Sequence, residues 1–93
     1  MFLVRHGAGK VQEECGELIQ ALAKYEVHGP ENTTPGTTRT NKAHVEDEMG
    51  DVLAAIQYAV ERMGLDQKRI AARLEKKYTV YDRYGRSAFE GEK

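Results

Sequence analysis

Two short stretches decide how the chain is read: Glu13-Glu14-Cys15-Gly16-Glu17, and Glu48-Met49-Gly50-Asp51 further along. Both sit in helical contexts. Residues three apart on a helix share a face, so Glu14 stands beside Glu17, and Glu48 beside Asp51. An antiparallel pair of such helices brings four carboxylates into one small space. Four negative charges at close range repel unless a positive charge lies among them. A hard divalent cation with oxygen ligands, Mg²⁺ or in its place Mn²⁺, is the simplest answer.

The flanking residues support two helices. Val11, Cys15, Leu18, Leu22 and Tyr25, with Ile19 beside them, recur at helical spacing and predict a first helix from about Gly9 to Val27. Glu14 and Glu17 fall at one edge of that stripe, and Glu13 turns farther toward water. A second helix begins near Asn41 or Lys42, with Thr40 and Asn41 both acceptable N-caps. Its stripe is Val45, Met49, Val52, Ile56, Ala59, Val60 and Met63, with Glu48 bordering it and Asp51 one step farther round. Glu46 and Asp47 point elsewhere, toward solvent. Gly64 ends this helix. His44, one turn before Glu48, reads as a capping or solvated histidine, with ligand contact or base chemistry as the alternative.

The stretch between, His28 to Asn41, carries a Gly-Pro and a Pro-Gly dipeptide and is rich in threonine. It is a loop, long for a helix connection, and therefore a candidate functional or mobile segment. Arg39 and Lys42 stand at the entrance to the second helix, within reach of a phosphate or simply solvated. Asp66 caps a third, shorter helix with Ile70, Leu74, Tyr78 and Tyr81 on one face. Its C-terminal part is basic, with Lys76, Lys77, Arg83 and Arg86 around Asp82. Residues 85–93 read as a flexible polar tail.

The pattern E-E-x-x-E, a loop, then E-x-x-D resembles the MazG-like all-α nucleoside triphosphate pyrophosphohydrolases. The likeness extends to Glu14–Tyr25 (ECGELIQALAKY) and Glu48–Asp66 (EMGDVLAAIQYAVERMGLD), and covers roughly residues 11–83. It implies an all-α fold: a helical hairpin plus the shorter third helix, completed to a four-helix bundle by homo-oligomerisation. It implies Glu14, Glu17, Glu48 and Asp51 as metal ligands, and attack at the α-phosphorus of a nucleoside triphosphate, giving monophosphate and pyrophosphate. Catalytic roles fall to Glu13 and Glu14, and Glu13 could also pair with a basic residue. Lys77 and Arg83 are the expected substrate contacts. Lys77 matches the family's lysine, but Glu75 stands where an Asn is common, a departure that touches substrate contacts and not the metal site.

Composition sets bounds around this reading. Ninety-three residues make one domain, with residues 1–10 as an N-terminal segment. Charged residues are 31% of the chain and Trp is absent, so little apolar area is available per residue. That favours sharing a core between copies, as a homodimer or homotetramer. A net charge of −1 gives no global field toward nucleic acid or a membrane. The single cysteine excludes an intrachain disulfide and fits a cytoplasmic setting. No apolar run approaches the ~20 residues that span a bilayer.

Other readings explain less. Leu3-Val4-Arg5-His6-Gly7 resembles the phosphate-binding start of the histidine phosphatases, but those need a large α/β domain. A di-iron bundle wants a Glu-x-x-His pair, and neither Glu14 nor Glu48 has histidine three residues on. A phosphoribosyl-ATP pyrophosphohydrolase-like enzyme shares the helical design and similar acids. A non-enzymatic helical module has no need of acids beside both buried stripes.

Overall fold

The computed structural model describes residues 7–91, and the expectations for Leu3–His6 lie outside them. Three helices follow one another: α1 (Ala8–His28), α2 (Asn41–Met63) and α3 (Gln67–Gly91). An isolated bridge between Thr33 and Thr40 is the extended pairing among the described residues. None of the helices is long and apolar enough to cross a membrane.

Local chemistry sets each boundary. Gly7 is buried at the start of α1, where a methyl group would stand 2.9 Å from Met63 Cγ. Its lack of a side chain lets α1 begin in contact with the end of α2, so the two helices run antiparallel. Gly29 closes α1 at φ 86°, with its N–H donated to Tyr25 O. Thr40 is the N-cap of α2: its hydroxyl accepts from Ala43 N at 3.1 Å. Gly64 ends α2 in the left-handed conformation, φ 63°, and Leu65 N reaches back to Val60 O at 3.0 Å. Asp66 caps α3 as expected, accepting from Lys68 N at 2.9 Å and Arg69 N at 3.2 Å.

The 29–41 connection is a folded loop and not a free one. Thr34 N donates to Arg39 O at 2.8 Å and Asn41 N to Asn32 O at 2.7 Å. Asn41, 1% exposed, turns its amide inward and donates to Gly29 O at 3.0 Å. The loop thus joins the end of α1 to the start of α2 through the hydrogen bonds of buried Asn41 and Thr34. Arg39, expected in solution or on a phosphate, is held instead by Asp47 at 2.9 Å.

Two expectations are corrected. The third helix is not shorter: at 25 residues it exceeds α1 with 21 and α2 with 23. Its backbone stays helical through 85–91, in the stretch read as a tail, because after Gly85 no proline and no glycine interrupts it before Gly91. The stripe of α2 is also not buried along its whole length. Val45, Ala55, Ala59 and Val60 face inward, while Met49 and Met63 remain 46% and 50% exposed. Apolar residues occupy two faces of α2, and α1 covers one.

The hairpin of α1 and α2 is the substantial helix–helix contact. Every α3 side chain described, through position 85, is exposed. The radius of gyration is 16.6 Å, against about 12 Å for a compact domain of this length. Among the described residues, five buried apolar ones, three of them alanine, make up the core. Such a core is small for a self-sufficient domain.

Candidate functional site

The hairpin brings three of the four expected ligands together. Glu14 and Glu17 come from successive turns of α1, and Glu48 from the facing side of α2. One carboxylate oxygen from each lies within 4.8 Å of the others. Glu48 is buried at 8% exposure. It lies within the inward face of α2 rather than bordering it. Asp51 stands outside this triad. It is exposed, yet it shares a crevice with Glu14, and its charge is felt there.

The acids are poorly compensated. Lys10 Nζ lies 3.9 Å from Glu14 and 3.6 Å from Glu13. His44 Nε2 lies 3.5 Å from Glu48 Oε1. Glu14 Oε2 and Glu48 Oε2 are buried with no hydrogen-bond partner. Buried carboxylate oxygens normally have one. A cation would supply the partner these oxygens lack, and an all-carboxylate donor set suits a hard one. The residues therefore fit a divalent metal.

The same environment raises the Glu14 pKa above its ordinary value. Burial is the main cause, followed by the charges of Glu17, Asp51 and Glu13, with Lys10 opposing. The sign of the consequence for stability follows from linkage. The folded chain holds this proton more tightly than the unfolded chain. Below the unfolded pKa both forms keep it, and there is no penalty. As pH rises toward the folded pKa the unfolded chain deprotonates first, and stability is lost across that interval. In chelator, the melting temperature of Glu14→Gln should match wild type near about pH 4 and exceed it by a constant margin at neutral pH. A gap that does not change with pH would count against this coupling.

Beside the triad is a crevice of about 580 Å³, lined by Lys10, Glu14, Asp51, Ala54, Ala55 and Tyr58. Arg62 lies over the Tyr58 ring, 5.3 Å from its centroid. Glu13 is exposed and paired with Lys10, one of the roles open to it. Lys77 and Arg83 are not brought to the acids within the chain. Both are exposed on α3, and neither lines the crevice. Arg83 borders a shallow groove on α3 itself, beside Lys76 and Thr79.

His44 is a correction of a different kind. It is neither a cap nor solvated: its side chain is 12% exposed, between Glu48 and Thr34 of the loop. Sequence reasoning also passed over Lys10 and Tyr58. Lys10 is four residues before Glu14, and Tyr58 seven after Asp51, so helical spacing alone could have placed both. Thr34 has no such local signal.

An antiparallel helical hairpin that brings carboxylates of both helices together defines an all-α acid-cluster protein. The MazG nucleotide pyrophosphohydrolase domain model matches residues 8–83, so the chain belongs to that family. No curated protein and no solved structure gives a significant match.

Proposed function

We propose that the protein is a metal-dependent nucleoside triphosphate pyrophosphohydrolase, cleaving an NTP or dNTP to the monophosphate and pyrophosphate. The observation that carries this reading is the pair of buried, unpartnered oxygens, Glu14 Oε2 and Glu48 Oε2, in one three-acid cluster. Glu14, Glu17 and Glu48 hold the cation, Mg²⁺ or Mn²⁺, and Asp51 completes the set from the crevice. When bound, the cation neutralises charge that develops on the phosphate oxygens during attack at the α-phosphorus.

The chain's own residues supply the rest. Glu14 stands between cluster and crevice, and its raised proton affinity suits it to take a proton from the attacking water. Glu13 anchors Lys10, whose ammonium lines the crevice as a phosphate contact. Ala54, Ala55 and Tyr58 form an apolar and aromatic wall for the nucleoside. Lys77 and Arg83 contact substrate only if α3 of one copy meets the hairpin of another, in a homodimer or homotetramer. The exposed apolar residues of α2 and α3 favour such an assembly.

Incubating the protein and Mg²⁺ with canonical and modified triphosphates, with products resolved by chromatography, tests the reading. Monophosphate and pyrophosphate in equal amounts are expected. Diphosphate with inorganic phosphate, or no turnover of any triphosphate with Mg²⁺ or Mn²⁺, would overturn it.

A further inference from the structure

We infer that His44, held by Thr34 of the interhelix loop, is a positioning residue that fixes the Glu48 carboxylate for the cation. This rests on the metal-site reading above and adds two residues that belong to neither the acid motif nor the crevice.

The geometry is a polar chain that runs from the loop to a ligand. Asn41 Nδ2 donates to Gly29 O at 3.0 Å, at the end of α1. Thr34, 7% exposed, has its hydroxyl 3.5 Å from Asn41 Oδ1 and 3.4 Å from His44 Nδ1. The other ring nitrogen, Nε2, lies 3.5 Å from Glu48 Oε1. Glu48 Oε2 is left buried and without a partner. The two oxygens of one carboxylate therefore differ: one lies against the ring, and the other has no partner within the protein.

An ionised carboxylate only accepts hydrogen bonds, so the ring braces it where Nε2 carries a proton. The Thr34 hydroxyl directs its proton to Asn41 Oδ1 and sets its oxygen against Nδ1, which fixes the orientation of the ring. Partners of this kind around metal ligands typically contribute 10–100-fold to metal affinity. A merely satisfied core histidine would have no reason to spend one nitrogen on a carboxylate whose second oxygen is orphaned. The loop, long and threonine-rich, acquires a role as scaffold for the second helix's ligand.

The test reads Mn²⁺ binding without nucleotide, with the free ion measured by electron paramagnetic resonance, alongside metal-free melting. His44→Gln places an amide nitrogen near the Nε2 position and should keep most of the affinity. His44→Asn matches Nδ1 instead and should weaken binding about 10–100-fold, and Thr34→Val should weaken it in the same direction. Glu48→Gln reports on the site itself, and Glu46→Gln, exposed on the far side of α2, should bind as wild type. In turnover assays, His44→Asn should raise the metal concentration needed for half-maximal rate more than it lowers the rate at saturating metal. The inference is overturned if Glu48→Gln loses Mn²⁺ while His44→Asn and Thr34→Val bind as tightly as wild type. It is also overturned if the variants lose only melting temperature, or if Gln and Asn at position 44 behave alike. A wild-type protein that binds no Mn²⁺ overturns the metal site and this inference together.

Discussion

Glu48→Gln should abolish most pyrophosphate release from a triphosphate with Mg²⁺ present, while the protein stays folded. The substitution keeps size and helix propensity and removes one charge. Glu48 is buried in the three-acid cluster and carries an unpartnered oxygen, so its loss removes a ligand and not a surface charge. Partners around a metal ligand typically contribute 10–100-fold, and a ligand itself should contribute at least about that upper figure. Asp51→Asn should also reduce turnover, but less, because Asp51 is exposed and outside the triad. In chelator, Glu48→Gln should melt at or above the wild-type temperature, since a repulsive charge has gone. Glu46→Gln is the control and should stay nearly active. Wild-type rates in both site variants would remove the assignment, and loss in Glu46→Gln alone would mean that the wrong face of α2 was chosen.

Leu53→Asp should separate the assembly and lower the melting temperature by roughly 10–20 °C. Leu53 is 68% exposed on the single chain. On a monomer, a substitution there should change stability by no more than about 0.5 kcal/mol. Inside an interface the same aspartate is an unpaired charge taken out of water, at a cost of several kcal/mol. For a chain of this size each kcal/mol is worth about 4–8 °C, so the two cases are well separated. Leu53 continues an exposed row with Met49, Ile56 and Met63, and α3 adds Leu74, Tyr78, Tyr81 and Tyr84. With five buried apolar residues among those described, the single chain has a small core to set against its chain entropy. Light scattering should give a multimer for wild type and a smaller species for Leu53→Asp. A monomeric wild type, or a variant that melts as wild type does, would show that this row is solvent-facing in solution.

The sequence by itself determined what depends on neighbours along the chain. Helical spacing of apolar residues set α1 and α2 to within a residue or two, because a 3.6-residue period is written in the order of residues along the chain. Thr40, Gly64 and Asp66 were legible as boundaries, since caps act over one turn. The acids Glu14, Glu17 and Glu48 were legible because residues three apart share a face, and the E-x-x-D pattern supplied the matching helix. Tertiary structure alone decided the rest. Whether Asp51 joins the triad depends on how far α2 is rotated against α1. Whether Met49 and Ile56 are covered depends on how many partners α2 has. The path of α3 away from the hairpin, which keeps Lys77 and Arg83 from the acids, is set by one turn at Gly64, and a small change in backbone angle there moves a long helix far. The burial of His44 depends on Thr34, ten residues away on a folded loop, and no periodicity in the chain connects a loop hydroxyl to a helix imidazole.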